Sequence, residues 1–315
     1  MLDGNSLNAS GESSIAAQLE SAGFRAAFLP FTCVARIAEI YDALPENSQN
    51  TEFIRGTINH FHSKLPPDIP FNPRSILVAA YPCPEWEMRL NHKGREISLP
   101  IPPTYPDFDA PRQRRLRDAL ETAAKCYQMA ETHGISIKLL AVLSGLGKYG
   151  RNNICYTDGW GSYCNFAAYY TDIPCEDRDC GVAFMDTCET CGLCEENCPT
   201  GAIGSHPVID ASRCLTMLNE RSDPMPDWLS PDAHHALIGC MRCQEICPAN
   251  KQARTWEKGT VELNKAETEA LLALPPEELP RELTQKLSDF GMHEWFISLA
   301  GRNAKLAVEA MSAKD

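Results

Sequence analysis

Residues 188–199 read CETCGLCEENCP, and residues 240–248 read CMRCQEICP. The first run has the spacing C-x2-C-x2-C-x3-C-P, the second has C-x2-C-x3-C-P, and Cys214 lies between them. Three thiolates on one tight loop reach three corners of an iron–sulfur cubane, and a fourth cysteine beside a proline serves a second cluster. The two runs therefore predict two 4Fe–4S clusters, each completed by a cysteine from elsewhere in the pattern.

The eight cysteines divide into two predicted ligand sets. Cluster 1 is assigned Cys188, Cys191, Cys194 and Cys247, and cluster 2 is assigned Cys198, Cys214, Cys240 and Cys243. Zinc sites would instead form two separate tetrads, commonly with larger gaps between the paired ligands, and disulfides are the other alternative. The nested spacing favours iron–sulfur clusters. Acidic residues beside cluster 1 are expected to lower its reduction potential, namely Glu189, Glu195 and Glu196.

The composition is that of an ordinary soluble globular chain. Of 315 residues, 43% are hydrophobic and 23% are charged, and no uninterrupted apolar run is long enough for a membrane span. The polar start, MLDGNSLNASGESS, lacks the basic and apolar regions of a signal peptide. We therefore expect a cytoplasmic protein whose thiols stay reduced, and we expect most of the seven other cysteines to be small buried hydrophobes.

The net charge is −13, which argues against broad, non-specific binding of nucleic acid. A local basic patch remains compatible with this balance. The densest basic cluster contains Arg112, Arg114, Arg115 and Arg117. We interpret it as a solvated helix face whose arginines pair with nearby acids.

Hydrophobic periodicity predicts alternating helices and strands through the first 180 residues. Helices are predicted at 13–27, 34–44 and 112–134, and strands at 24–31 and 75–81, the last (SILVAAY) as a central strand. Residues 98–111 are rich in proline and are predicted to form an extended loop. His234 and His235 are predicted to begin the helix leading to Cys240, as structural residues rather than ligands. The chain from residue 266 onward has helical spacing.

These elements predict an α+β fold in three parts. Residues 1–180 form an α/β cofactor- and substrate-binding domain, residues 181–255 a two-cluster ferredoxin-like domain, and residues 256–315 a short helical segment.

Residues 144–153 read SGLGKYGRNN, with the order G-x-G-x-x-G. Three glycines in six positions indicate unusual backbone angles or the close approach of a ligand. The dinucleotide fingerprint matches weakly: a strand is expected before the loop at 137–143, but no helix is indicated after Gly150. The loop also carries polar side chains that suit a cofactor with amides or phosphate, namely Lys148, Arg151, Asn152 and Asn153. The alternative is a tight structural turn.

Several stretches together resemble the epoxyqueuosine reductase family, which comprises cobalamin-dependent iron–sulfur enzymes of tRNA modification related to reductive dehalogenases. PRSILVAAYP (73–82) is similar to the family's first central strand, SGLGKYGRNN to its A-G-L-G-x-x-G-K-N loop, and GSYCNFAAYYTDIP (161–174) to its G-S-x-x-x-x-G-E-x-x-T-D-x-P segment. The tail RNAKLAV (302–308) is similar to the start of its C-terminal helices.

The sequence also departs from the family pattern. Where the family has an acid in D-S/T-A/G-P, this chain has Glu131-Thr132-His133-Gly134, and Ala167-Ala168 replaces Gly-Glu. Lys148 replaces an aromatic residue and Arg151 replaces a lysine of the family loop. The longer helical-repeat tail of many members is missing.

The resemblance implies a nitroreductase-like, reductive-dehalogenase-like corrinoid domain that binds cobalamin without a protein ligand on cobalt. It implies a cofactor site formed by Gly145, Leu146, Gly147, Lys148, Gly150, Arg151, Asn152, Gly161 and Ser162. Glu131 is the implied proton donor, and His133 is a second candidate. The implied reaction reduces epoxyqueuosine in tRNA, or another oxidised small substrate. Electrons would pass from an external one-electron donor (flavodoxin or ferredoxin) through cluster 2 and cluster 1 to cobalt.

Two other functions remain open from the same residues. One is a two-cluster ferredoxin-type electron-transfer protein, and the other is a reductive activator of a separate corrinoid protein.

Overall fold

A computed structural model describes residues 4–43, 68–105, 110–204 and 208–312 of the chain, together with Gly56 and His60. The α-helices of these regions are α1 Gly4–Ser21, α2 Cys33–Asp42, α3 Ala110–Ala123, α4 Ile137–Leu143, α5 Leu193–Glu196, α6 Leu215–Asn219, α7 Arg242–Glu245, α8 Lys265–Ala273, α9 Arg281–Asp289 and α10 Glu294–Ser312. The strands are β1 Arg25–Pro30, β2 Ser75–Pro82, β3 Trp86–His92, β4 Arg95–Ile101, β5 Met129–Glu131, β6 Lys148–Tyr149, β7 Cys155–Tyr156, β8 Cys164–Thr171 and β9 Gly259–Leu263.

The main sheet has the strand order β1-β2-β8-β5, and each of its pairs is antiparallel. The SILVAAY run forms β2, which lies between two partners and is buried from Ser75 to Tyr81. A strand that is covered on both faces reads as a continuous apolar run, which is why this element was predictable. The predicted mixture of helices and strands is confirmed.

The two faces of the main sheet pack against different partners. Ile76 and Val78 point to a core that includes α2 and α4 and that also contacts the glycine-loop residue Leu146. We call this side the loop face. Leu77 and Ala79 point to the opposite core, which is covered by α1 and α3. We call this side the helix face. The alternation follows from the two-residue period of a strand.

The second sheet joins distant parts of the chain, in the order β4-β3-β9. Strands β3 and β4 form an antiparallel hairpin, whereas β9 pairs with β3 in parallel. Its residues Met88 and Leu90 share a core with Leu271, Leu287 and Ala304 of the C-terminal helices. The C-terminal segment was predicted to be helical, but it begins with a strand, because Val261 and Leu263 alternate with exposed Glu262.

Two secondary-structure predictions were wrong next to the glycine loop. Residues 137–143 were predicted as a strand but form helix α4, and the hydroxyl of Ser136 accepts from the backbone N–H of Leu139 at 3.4 Å to cap it. A short apolar run does not distinguish a buried helix from a buried strand. The helix predicted to reach Gly134 ends at Ala123, because Met129–Glu131 pairs with β8 instead.

Other element boundaries also differ from prediction. Helix α1 begins at Gly4 and ends at Ser21, rather than spanning 13–27. Residues 98–101 belong to β4 rather than to an extended loop, and residues 106–109 of that predicted loop lie outside the described regions. No helix leads from His234 to Cys240. Only a 3₁₀ turn, Pro231–Ala233, precedes His234.

Five of the seven cysteines outside the two runs are buried, as expected: Cys33, Cys83, Cys155, Cys164 and Cys180. The structure adds one feature that was not predicted, because Cys33 and Cys180 are paired as a disulfide with Cα atoms 6.3 Å apart. The pair joins the start of α2 to the segment that precedes the cysteine runs. None of the helices in the described regions has the length and apolarity that crossing a membrane requires.

Candidate metal centre and glycine loop

The two cysteine runs fold into similar short segments that lie side by side. Each contains a single helical turn, α5 in the first run and α7 in the second. The Asn197 side-chain amide donates to the carbonyl oxygen of Arg242 at 2.7 Å and joins the two segments. All eight cysteines of the pattern are half-buried. The fold therefore brings together residues that are about fifty positions apart in the sequence.

The thiols form two neighbouring groups, each drawn from both runs. Burial raises the pKa of Cys194, and the nearby thiols of Cys188, Cys247 and Cys191 raise it further. Cys194 therefore lies near the three other residues predicted for cluster 1.

The second group lies around Cys240. Burial raises the pKa of Cys240 to about 12, and the thiols of Cys214 and Cys198 contribute in the same direction. Burial also raises the pKa of Cys243, where Cys240 and Cys214 are among the charges that add to the rise. These are the four residues predicted for cluster 2. His235 Nε2 lies 3.7 Å from Cys240 Sγ, and its Nδ1 lies 2.8 Å from the carbonyl oxygen of Ala233.

The donor set fits iron–sulfur clusters better than single metal ions. Within the described regions, no three His, Cys, Asp or Glu side chains are arranged to hold one metal ion. A cubane does not need such convergence, because each thiolate binds a different iron. Burial alone would raise the pKa of the Cys198 thiol. Hydrogen bonds, mainly from backbone N–H groups, have the larger effect and lower this pKa below its usual value. One of them, Ala202 N–H, donates to Cys198 Sγ at 3.3 Å.

The glycines of the 144–153 loop are needed for close packing, as the sequence indicated. A side chain at Gly147 would overlap Cys155 Sγ, and a Cβ at Gly150 would lie 2.6 Å from Cε2 of Tyr156. The atoms that crowd these two glycines are therefore protein atoms, those of Cys155 and Tyr156. Gly145 has a φ of 77° with open space around its Cα, and it is exposed.

The glycine loop is bonded directly to the first cysteine run. Arg151 Nη2 donates to the carbonyl oxygen of Cys188 at 2.7 Å, and Arg151 Nη1 lies 3.3 Å from Glu195 Oε2. The backbone N–H of Tyr149 donates to the carbonyl oxygen of Ala183 at 2.9 Å. Lys148 Nζ lies 3.6 Å from Asp186 Oδ2. Three residues of the loop therefore contact the segment that leads into cluster 1.

Asn152 reaches the second cysteine run together with Tyr156, a residue that the sequence analysis did not single out. Asn152 Nδ2 donates to the Tyr156 hydroxyl at 2.9 Å. Burial raises the pKa of Tyr156, and Cys247, with which the hydroxyl is hydrogen-bonded, raises it further. A hydrogen bond from Asn152 to Cys243 opposes the burial-driven rise in the pKa of that thiol. The pair thus contacts one cysteine of each group.

Gly161 and Ser162 lie at a buried junction with the second cysteine run. The Ser162 backbone N–H donates to Asn250 Oδ1, and its hydroxyl donates to Gln244 Oε1, both at 2.8 Å. Asn250 Nδ2 in turn donates to the Ser162 hydroxyl and to the Gln244 carbonyl oxygen. Asn250 and Gln244 were not predicted, because no local pattern marks a partner 82 or 88 residues away.

The structure places Glu131 away from the glycine loop. Glu131 is exposed at the end of β5 and lies opposite Tyr169 of β8. Directly opposed residues of an antiparallel pair share a face, and Tyr169 packs on the helix face. The glycine loop packs on the other side of the sheet. His133 is also exposed, and the buried Thr132 hydroxyl has no hydrogen-bond partner among the residues that the structure describes.

A cleft of about 390 Å³ lies where the glycine loop meets the first cysteine run. It is lined by Arg151, Phe184, Met185, Asp186, Cys188 and Glu189. The cleft therefore lies beside Cys188, one of the residues predicted for cluster 1.

Comparison with known proteins agrees with this arrangement. Residues 187–250 match the family of 4Fe-4S double cluster binding domains. The epoxyqueuosine reductase of Bacillus subtilis (strain 168) is 33% identical over 123 residues, which is 39% of this chain and 31% of that protein. The aligned region thus spans about a third of the length of this curated relative.

Solved structures share the fold over most of the chain. One of them is the epoxyqueuosine reductase of Bacillus subtilis, solved with its catalytic aspartate loop swung out of the active site. It has a TM-score of 0.63 and 20% sequence identity, and the match covers 96% of this chain and 83% of that one. An epoxyqueuosine reductase with an epoxyqueuosine-modified tRNA-Tyr stem loop has a TM-score of 0.62 and 20% identity, covering 95% and 80%. The chain therefore carries a 4Fe-4S double cluster binding domain and resembles the epoxyqueuosine reductases in both sequence and fold.

Proposed function

We propose that this protein is an iron–sulfur reductase of the epoxyqueuosine reductase type. Its substrate is epoxyqueuosine in tRNA or another oxidised small molecule. The observation that carries the proposal is the hydrogen bond from Arg151 to the carbonyl oxygen of Cys188. This bond connects the glycine loop directly to the double-cluster domain. A ferredoxin module that only carried electrons would not require a second domain bonded so closely to its clusters.

The proposed ligands are those of the two thiol groups. Cluster 1 is bound by Cys188, Cys191, Cys194 and Cys247, and cluster 2 by Cys198, Cys214, Cys240 and Cys243. An external one-electron donor reduces cluster 2, which reduces cluster 1 beside the glycine loop. Reduction of an epoxide to an alkene consumes two electrons and two protons and releases water, and two clusters that each carry one electron supply that pair.

The tRNA part of the proposal is supported by a relative of the same fold. That epoxyqueuosine reductase was solved with an epoxyqueuosine-modified tRNA stem loop. Binding of RNA by this chain requires a local basic surface, because its net charge is −13.

The corrinoid part of the proposal is supported by the family resemblance alone. The described residues do not form a cradle for cobalamin, because most of the predicted ones are used inside the protein. Arg151 and Ser162 bond to the cysteine runs, and Asn152 bonds to Tyr156 and to Cys243. Leu146 packs into the loop-face core, and the sites of Gly147, Gly150 and Gly161 are crowded by the chain itself. Gly145 and Lys148 remain exposed beside the cleft.

Glu131 is the proposed proton donor, and movement of its loop is part of that proposal. The neighbour described above has its catalytic aspartate loop swung out of the active site. In this chain Glu131 is exposed at the end of β5, and His133 is exposed on the segment that joins β5 to α4. Movement of this segment around the edge of the sheet would bring Glu131 from the helix face to the loop face.

An electron-transfer protein is the second candidate function, with the reductive activator of a corrinoid protein as its variant. The placement of Glu131 favours this class, because no described acid of the 131–134 segment faces the glycine loop. An electron carrier needs no proton donor.

The decisive experiment is performed anaerobically on reconstituted protein. About eight irons per chain are expected for two clusters. Cob(II)alamin is then titrated while its EPR spectrum is recorded, and the reduced protein is mixed with epoxyqueuosine-containing tRNA. A base-off cobalt signal and formation of queuosine support the reductase. Eight irons with an unchanged cobalt spectrum and unchanged RNA would establish the electron carrier instead.

A further inference from the structure

We propose that Arg114 and Arg117 on helix α3 bind the phosphate groups of a nucleic-acid strand. This inference rests on the proposed function, because it assigns the surface that holds the tRNA. It concerns the RNA backbone and not the base that reacts. The surface lies on the helix face of the main sheet, on the same side as Glu131.

The first support is the distribution of charge. Four arginines lie between residues 112 and 117, and no acid occurs from Ala110 to Arg117. This concentration of positive charge stands out in a chain whose net charge is −13. Four neighbouring guanidinium groups repel one another unless anions neutralise them. Asp107 and Asp109 precede this basic stretch in the sequence, and Asp118 and Glu121 follow it, so an anion site is confined to residues 112–117.

The second support is that, among the residues that the structure describes, two of the four arginines have hydrogen-bond partners and two do not. Arg112 Nη1 donates to the carbonyl oxygen of Pro82 at 2.8 Å, and Arg115 Nη2 donates to that of Ala22 at 3.3 Å. These bonds attach the helix to the sheet and to α1.

Arg114 and Arg117 are exposed, and neither forms an ion pair with any residue in the described ranges. The expected solvated helix face is therefore present at these two positions, without ion pairs to acids of the described ranges. They are three positions apart on one helix and so present neighbouring side chains. Helix α3 buries Leu116 and Leu120 against the sheet, which fixes the direction of its exposed side.

The third support is the position of Arg117 relative to Glu131. Both charged groups act on the half-buried Tyr169 hydroxyl: burial raises its pKa, Glu131 raises it further, and Arg117 lowers it. Arg117 and Glu131 therefore both lie near that hydroxyl. A strand held by Arg114 and Arg117 would run along the edge of the sheet that carries the proposed proton donor.

Arginine suits this role because its planar guanidinium offers paired donors that match two phosphate oxygens. Each phosphate contact releases condensed counterions, so its loss changes the salt dependence of binding as well as the affinity. A solvated helix face without a ligand has neither property. The salt dependence therefore separates the two interpretations.

The test measures binding of an epoxyqueuosine-modified tRNA stem loop to the cluster-loaded protein by fluorescence anisotropy at several salt concentrations. The double variant Arg114→Gln/Arg117→Gln is compared with Arg36→Gln. Arg36 is a matched control because it is exposed but paired with Glu39 at 2.7 Å on the other side of the sheet. The double variant is expected to bind at least tenfold more weakly at low salt, with a log K against log salt slope that is shallower by about 1.5.

Arg114→Lys/Arg117→Lys is expected to retain most of the slope. Wild-type affinity and slope in the double glutamine variant would overturn the proposal, as would wild-type protein that does not bind the stem loop. Because binding is measured without turnover, the outcome is independent of the reductase assay. A protein that binds RNA through these arginines but reduces nothing would refute the proposed function and leave this inference standing.

Discussion

The guanidinium of Arg151 donates to the carbonyl oxygen of Cys188 over 2.7 Å, which links the glycine loop to the first cysteine proposed for cluster 1. The same side chain lies 3.3 Å from Glu195, and it is only 17% exposed. Glu195 is one of three exposed acids beside that cluster, so the ion pair offsets part of their negative charge. Arg151, which stands where the similar family has a lysine, thus connects the glycine loop to the first cysteine run.

Replacement of Arg151 by methionine should loosen this connection. Hydrogen bonds to charged groups contribute about 1.5–3 kcal/mol, so Arg151→Met should lower the free energy of unfolding by about that amount and accelerate the loss of cluster 1. Urea unfolding and the decay of the cluster absorbance would measure both effects. Arg221→Met is the control, because Arg221 forms an exposed pair with Asp223 and should cost less than about 1 kcal/mol. Equal effects of the two variants would refute the coupling.

Serine substitutions should remove the clusters one at a time. Cys191→Ser should reduce the iron content from about eight to about four by eliminating cluster 1, and Cys240→Ser should eliminate cluster 2. The two variants should therefore lose different EPR signals. Cys126→Ser should retain all the iron, since Cys126 is an exposed free cysteine outside both groups. Full iron content in either cluster variant would contradict the ligand assignment.

Gly161→Ala should destabilise the junction between the main sheet and the cysteine runs. The new methyl group would overlap Asn250, and Gly161 also has a φ of 59°. Gly94→Ala separates the two causes, because Gly94 has a φ of 77° but a Cβ there would meet no atom of another described residue within 4 Å, its chain neighbours aside. We expect a cost of about 1 kcal/mol for Gly94→Ala and about 2–4 kcal/mol for Gly161→Ala. Similar unfolding midpoints for the two variants would show that the close contact is unimportant.

The sequence revealed those features that depend on local spacing. The cysteine runs and the central strand at Ser75–Pro82 could be predicted because each is a continuous pattern. The helix at Ile137–Leu143 was missed because a seven-residue run with six apolar residues fits either type of element, although Ser136 was available as a capping signal. Glu131 could be aligned with the family acid, but the face on which it lies depends on the register between β5 and β8. That register is set by tertiary packing, not by neighbouring residues.

Lys138 provides a pH-dependent test of the packing under the glycine loop. Its ammonium group donates to the carbonyl and side-chain oxygens of Asn153 at 2.7 and 2.6 Å. Burial lowers the pKa of Lys138 to about 8, whereas an unfolded lysine titrates near 10.4. Between about pH 8 and pH 10 the unfolded chain binds more protons at this site, so the free energy of unfolding rises with pH.

Lys138→Met removes this titration and is the informative variant. Wild-type protein should gain stability relative to Lys138→Met as the pH increases from about 8 to about 10, because its buried ammonium group loses its charge. Denaturant unfolding at several pH values would measure the difference. Parallel pH profiles for the two proteins would show that Lys138 is not buried in its charged form.

The most direct test of the account is a single-turnover reaction with cluster-loaded protein. The protein is reduced chemically under anaerobic conditions, with and without added cobalamin, and is mixed with an epoxyqueuosine-modified RNA stem loop. Mass spectrometry of the digested RNA should show a nucleoside that has lost one oxygen atom, accompanied by reoxidation of the clusters. Fully loaded and reduced clusters that leave the RNA unchanged in both conditions would contradict the proposed reductase.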